Sequence, residues 1–322
     1  MRQFAKPTIV VSKCLEFDAC RYNGEMIPDV TIRNLQPFVT FIPVCPEVEI
    51  GLGTPRETIR IVEENGENRL VQPSTREDVT EKMEQFSNDF LQTILDVDGF
   101  ILKNRSPSCG TRDVKIYSGF EKAPAKGKGA GLFGGAVVKK FSHLPIEEEG
   151  RLSNFIIREH FFTRLFTIAY YKMIKHNKNM KELVSFQSDN KYLFMAYNQV
   201  KQKELGRIIA NQKNEKIEVV FENYEKTLYE LFMRAPRYTS NVNVCEHIFG
   251  YFKTKLKKQE KDHFIELLQK YAEKKIPLSS LLTILKSWAI RFDEKYLLRQ
   301  TYFEPYPEAL VEISDSGKGR DY

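Results

Sequence analysis

Along the first half of the chain, short apolar runs alternate with stretches of helical spacing. Thr8–Ser12 (TIVVS) is a β-branched run that reads as a strand. Residues 39–44 (VTFIPV) read as another, with Pro43 placing its end at a sheet edge. In residues 78–95, Val79, Met83, Phe86, Phe90, Leu91 and Ile94 form one apolar face, and Asp78 is positioned to cap it. A third strand, residues 99–103 (GFILK), follows directly, and residues 131–141 read as a closing helix. This order predicts an α/β domain with a mostly parallel open sheet.

The pattern changes near residue 150. Glu149–Leu152 reads as a polar joint. Beyond it, residues 154–175, 180–198, 219–234, 243–257, 262–274 and 277–291 carry apolar residues three and four apart. Pro277 suits a helix's first turn. We therefore expect two domains, residues 1–150 and an all-α domain over residues 151–322, with a polar tail from Tyr306.

Composition agrees with a folded chain: of 322 residues, 42% are hydrophobic and 29% charged, which excludes a largely disordered or collagen-like protein. No apolar run approaches the roughly 20 residues of a membrane helix, so no membrane association is expected. The first residues, MRQFAKPTIVVSK, have too short an apolar core for a secretory signal, so a cytoplasmic location and reduced thiols are expected. The net charge of +6 hides an asymmetry. Residues 1–150 hold 19 Lys and Arg against 22 Asp and Glu, and the remainder carries a net +9. An anionic partner is expected for the second domain.

Cys14 lies two residues past TIVVS, Cys45 directly follows VTFIPV, and Cys109 sits in the loop KNRSPSCGTRD after GFILK. In open α/β sheets, chemistry sits beyond the carboxyl ends of the strands, so three thiols would converge there. Three thiolates suit zinc or an iron–sulfur cluster. The alternative is three unrelated buried thiols.

The neighbouring residues are polar. Glu47, two residues from Cys45, is a candidate proton shuttle. Ser106 and Ser108 are candidates to bond a polar substrate. Arg21, Arg56 and Arg105 are cations in the same loops, and for each a surface ion pair is the more common outcome. The run 129–134 (GAGLFG) matches G-x-G-x-x-G, but KAPAKGK rather than a strand precedes it, so no nucleotide cofactor is expected. It reads instead as a loop carrying exposed Lys122, Lys126 and Lys128, placed to touch substrate phosphates.

The segments VSKCLEFDACRYNGE, PVCPEVEIGLGTPRETIRI and LKNRSPSCGTRDVKIYSG together resemble the thiouracil desulfidase family. From about residue 150, stretches such as KYLFMAYNQ, KELGRIIA and IPLSSLLTILK resemble the helical domain of YbgA-type proteins. The resemblance implies a [4Fe–4S] cluster held by Cys14, Cys45 and Cys109. It also implies non-redox removal of sulfur from thiolated uracil and, for two-domain fusions, action on 4-thiouridine in tRNA. Cys20 stands outside the implied ligand set, and Cys245 reads as core.

In the helical domain, Asn243, His247 and Tyr251 share one helix face, and Lys253 opens a Lys-rich segment, which together suit an RNA surface. Two rival readings stand beside this one: a desulfidase of free thiouracil bases, and a non-enzymatic RNA-binding protein with a structural metal.

Overall fold

The computed structural model describes residues 2–94, 96–120, 124–212 and 214–312. Leu95, Lys122 and residues 313–322 of the expected tail lie outside the described residues. The chain forms two compact units, Met1–Ala169 with Ala309–Tyr322, and Tyr170–Glu308.

In the first unit the elements run β1 (Thr8–Ser12), α1 (Val30–Leu35), β2 (Thr40–Val44), α2 (Pro46–Glu49), β3 (Arg60–Glu64), β4 (Glu67–Gln72), β5 (Glu77–Asp78) and α3 (Thr80–Thr93). They continue with β6 (Gly99–Leu102), β7 (Val114–Tyr117), β8 (Ala125–Gly129), α4 (Leu132–Phe141), β9 (Ile146–Glu148), α5 (Glu149–Leu152) and the start of α6 (Phe155–Asn177).

The expected sheet is present and wholly parallel, in the order β2–β1–β6–β9. Ile9, Val10 and Val11 of β1 and Phe100, Ile101 and Leu102 of β6 are fully buried, as continuous apolar runs in a parallel sheet must be. Pro43 lies exposed on edge strand β2, where its missing donor costs no ladder bond. Because the chain leaves β1 for β2 on one side and returns to β6 on the other, the connection direction reverses between β1 and β6. In such sheets the crevice beyond the carboxyl ends at this reversal is the binding site.

A second, five-stranded sheet was not expected. Its order is β5–β4–β3–β7–β8, antiparallel except for β3 with β7. The β3–β4 hairpin closes on Asn65 and Gly66, both with positive φ, in the two-residue loop favoured by an Asn-Gly pair. Helices α3 and α4 pack through Phe86, Phe90 and Phe133, and Phe141 of α4 lies 5.1 Å from Phe100 of β6. Asp78 Oδ1 accepts the Thr80 N–H at 2.8 Å, at the expected start of α3.

The second unit is all-helical: the rest of α6, then α7 (Met180–Asp189), α8 (Lys191–Tyr197), α9 (Gln199–Ala210), α10 (Ile217–Leu231), α11 (Tyr238–Gly250), α12 (Lys258–Ala272), α13 (Leu278–Arg291) and α14 (Lys295–Leu298). The single helix expected over 180–198 is two helices, broken where Asn190 turns its Nδ2 back to the Phe186 carbonyl at 2.8 Å. The unexpected α9 starts at Asn198, whose Oδ1 accepts the Val200 and Lys201 N–H groups. Its core is aromatic, with Tyr171 stacked on Tyr224 and Phe249, Phe252 and Phe264 around Trp288. Among the described residues, no helix is long and apolar enough to cross a membrane.

The polar tail expected from Tyr306 requires correction. Tyr306 and Leu310 are buried, and the Glu312 carbonyl accepts a bond from Arg158 at 2.7 Å. Apolar Tyr302, Tyr306 and Leu310, each four residues on, carry the chain back into packed structure.

Candidate active site

Each of the three strand ends delivers a cysteine. Cys14 lies in the turn after β1, Cys45 is the residue between β2 and α2, and Cys109 sits in the loop after β6. Cys45 and Cys109 are buried, and Cys14 is half-buried. Burial pushes the Cys14 thiol up to about 12, with Cys45 adding to the rise. Burial pushes Cys109 further up, and the charges of Cys14 and Cys45 act in the same direction. The three thiols therefore lie within one another's fields in a poorly solvated place. Cys20 joins them. Its thiol is pushed up to about 12, by burial first and then by Cys45. The Cys45 Sγ lies 3.8 Å from the Cys20 carbonyl.

The Cys109 loop is held by its serines. Ser106 Oγ accepts the Cys109 N–H at 3.1 Å and the Ser108 N–H at 3.3 Å, bending the chain into a tight turn. Ser108 is fully buried, 3.7 Å from Cys109 Sγ and 2.9 Å from Ser106 Oγ. Its hydroxyl donates to Glu47 Oε1 at 2.6 Å. The other oxygen of Glu47 is taken by Arg56, whose Nε lies 2.9 Å and Nη2 2.5 Å from Oε2. Glu47, Ser106, Ser108 and Arg56 thus meet beside the thiols.

The glycines of the GAGLFG run serve packing. The Gly131 N–H donates to the Gly110 carbonyl at 2.7 Å, and the Gly134 N–H to the Ser108 carbonyl at 2.9 Å. A Cβ on Gly131 would lie 2.5 Å from the Ser108 carbonyl oxygen, and one on Gly134 would strike the Cys109 and Gly110 carbonyls. The start of α4 lies directly against the Cys109 loop, an approach only glycine permits.

Other expected residues stand apart from this network. Arg21 pairs with Glu25 at 3.5 Å, and exposed Arg105 has φ +55°. The expected loop requires correction: Lys126 and Lys128 lie exposed on strand β8, which pairs with β7 and leads directly into the GAGLFG run, and they pair with Glu63 and Asp113. Asn243, His247 and Lys253 belong to the helical unit. There His247 and Lys253 are exposed, Asn243 is half-buried, and exposed Tyr251 stacks on Tyr296. Tyr192 and Phe252 are core, as is Cys245, whose Sγ lies 3.9 Å from the Tyr302 hydroxyl.

Three further groups were not foreseen. Ser12 Oγ accepts the Lys103 N–H at 2.9 Å and hydrogen-bonds Cys109. Lys103 pairs with Glu149, whose second oxygen accepts the Asn104 N–H at 2.7 Å. Lys103 lowers the Cys14 thiol against the other influences. Glu148 Oε1 accepts the Thr111 N–H at 2.7 Å. The signal available for these acids was the Glu147–Glu149 run, which reads as a joint until β9 is seen to end at the sheet's carboxyl edge.

The family described as 2-thiouracil desulfurase matches residues 9–149. The uncharacterized protein YbbK of Bacillus subtilis (strain 168) is 36% identical over 118 residues, spanning 34% of this chain and 77% of that protein. The chain belongs to the 2-thiouracil desulfurase family. The desulfurase region ends where the helices begin, and a family described as a protein of unknown function (DUF1722) matches residues 191–307. The uncharacterized protein YbgA of Escherichia coli (strain K12) is 22% identical over 156 residues, 48% of this chain and 92% of that one. A solved structure described as the [4Fe-4S]-dependent thiouracil desulfidase TudS is 26% identical, with a TM-score of 0.37, covering 46% of this chain and 93% of its own. The two-part arrangement expected from the sequence stands.

The donor set of Cys14, Cys45 and Cys109 fits an iron–sulfur group by its chemistry. Cys14 and Cys109, soft thiols whose burial favours the protonated form, require a bound cationic centre to become thiolates together. Among the described residues, no group of three or more His, Cys, Asp or Glu side chains is placed to hold a single metal ion.

Proposed function

We propose that this chain is a desulfidase that converts 4-thiouridine in tRNA to uridine without net redox change. The observation that carries the reading is the Glu47–Ser108 contact beside Cys14, Cys45 and Cys109, in a chain of this family. Cys14, Cys45 and Cys109 would hold a [4Fe–4S] cluster. When bound, the cluster supplies an iron without a protein ligand, a Lewis acid suited to a soft thiocarbonyl sulfur.

The chain's own groups supply the rest. Glu47 Oε1, the oxygen Arg56 leaves open, accepts a proton from the water that replaces sulfur at the ring carbon. Ser106 and Ser108 bond the polar edge of the ring. Water supplies oxygen, sulfur departs as sulfide, and no electrons are transferred. Lys126, Lys128 and Arg105 are exposed on the same unit to meet phosphates. The net +9 of residues 151–322, with Asn243, His247 and Lys253 among them, supports an RNA-tracking role for the helices.

A second reading, action on free 2-thiouracil, is favoured by the family's description. Anaerobically purified protein assayed on bulk tRNA and on free 2-thiouracil separates the two. Loss of 4-thiouridine from tRNA supports the proposal, and turnover of the free base alone overturns it. Binding of tRNA that is insensitive to salt would remove the phosphate-tracking role.

A further inference from the structure

We propose that Arg56 is a positioning residue that fixes Glu47 in its working orientation, rather than a contact for substrate. The inference deepens the desulfidase reading and rests on it. The Arg56 side chain is only 4% exposed and that of Glu47 12%, so the ion pair between them is largely withdrawn from water. The guanidinium is turned inward. Nε and Nη2 both face Glu47 Oε2, while Nη1 donates to the Cys20 and Gly53 carbonyls, each at 2.9 Å. The Arg56 backbone N–H donates to the Tyr22 carbonyl at 2.8 Å.

Arg56 therefore ties together three pieces of chain: the Cys20 loop, the Cys45–Pro46–Glu47 turn and its own loop. A planar guanidinium holding one carboxylate oxygen from two nitrogens leaves the carboxylate little freedom to rotate. Oε1 then has a single direction, toward Ser108 and the Cys109 loop. A flexible glutamate would spend its time elsewhere, and a proton acceptor must be in place before it can act. Lysine, with one compact charge, cannot reproduce the set of contacts.

The test is a double-mutant cycle of R56Q and E47Q on the full chain, with R56K as a milder variant. With the cluster-loaded protein, R56Q should lower kcat about 10–100-fold, with KM little changed. R56K should recover part of the loss, and the double variant should be no slower than E47Q alone. Iron content should match wild type throughout. A raised KM with unchanged kcat, or losses that multiply in the double variant, would overturn the inference. Melting temperatures of the same four proteins without cluster supply a readout independent of activity. Non-additive changes support the Arg56–Glu47 coupling and additive ones overturn it. Wild-type protein inactive on every thiolated uracil, with a non-additive melting cycle, would sink the desulfidase reading while leaving the positioning role supported.

Discussion

The Ser108 hydroxyl donates to Glu47 Oε1 across 2.6 Å, joining the Cys109 loop to α2 through residues 61 apart in sequence. A hydrogen bond to an ionised carboxylate is roughly twice as strong as a neutral one, and Ser108 is fully buried. Ser108→Ala should cost about 1–3 kcal/mol of stability, because a half-buried carboxylate oxygen loses its hydroxyl donor. Desulfidation should fall about 10–100-fold with iron content unchanged. Turnover of the iron-loaded variant at the wild-type rate would remove Ser108 from the reaction.

The cysteines divide into groups with different expected behaviour. Cys14, Cys45 and Cys109 stand at three strand ends, whereas Cys245 lies in the helical core beside Tyr302. After anaerobic reconstitution, alanine at any of the first three should abolish the brown colour and bound iron, while Cys245→Ala should keep both. Cys20→Ala should also keep iron, although Cys20 lies beside Cys45. Iron-to-protein ratios decide the matter, and a colourless Cys20→Ala would enlarge the ligand set to four.

Helix α4 and the Cys109 loop are in backbone contact at Gly131 and Gly134, and this predicts a contrast within one short run. Gly134→Ala forces a methyl into the Cys109 and Gly110 carbonyls, and overpacking of this kind costs about 1–3 kcal/mol. It should lower the melting temperature and also cluster uptake. One residue on, a Cβ at Gly135 meets only the Ala130 side chain, at 3.4 Å. Gly135→Ala should be neutral, or stabilising by up to about 1 kcal/mol through helix propensity. Equal melting temperatures for the two variants would contradict this packing account.

The parallel sheet was legible because β1 and β6 are buried on both faces and read as unbroken apolar runs. The second sheet was not. Its β3 (RIVEE) buries two residues fully and β8 (AKGKG) none, so neither shows a period of two. The Asn65-Gly66 pair, flanked by IVEE and ENRLV, was the available signal for the hairpin. Cys14 and Cys45 could be placed at strand ends because each apolar run stops just before them, and Cys109 because its polar loop follows directly on GFILK. The inward turn of Arg56 could not be foreseen, since nothing in its neighbours distinguishes a buried pair from a solvated one. Asn190 broke a helix that periodicity alone had joined, by bonding its side chain to the backbone four residues back.

His160 gives the folded chain a defined acid sensitivity. It lies half-buried on α6, and burial first, then the Arg164 charge, pushes its imidazole down to about 3. An unfolded chain protonates histidine near the usual value of about 6.5. Between those two values the unfolded state takes up a proton that the folded state refuses. Stability from this group is therefore fully present above pH 6.5 and is lost progressively as pH falls toward 3. The slope cannot exceed about 1.36 kcal/mol per pH unit for one group, and partial exposure makes it smaller. Melting curves at pH 7 and pH 5 should show a larger drop for wild type than for His160→Gln, whatever the variant's stability at pH 7. Parallel drops would mean that His160 titrates alike in both states and that the acid sensitivity lies elsewhere.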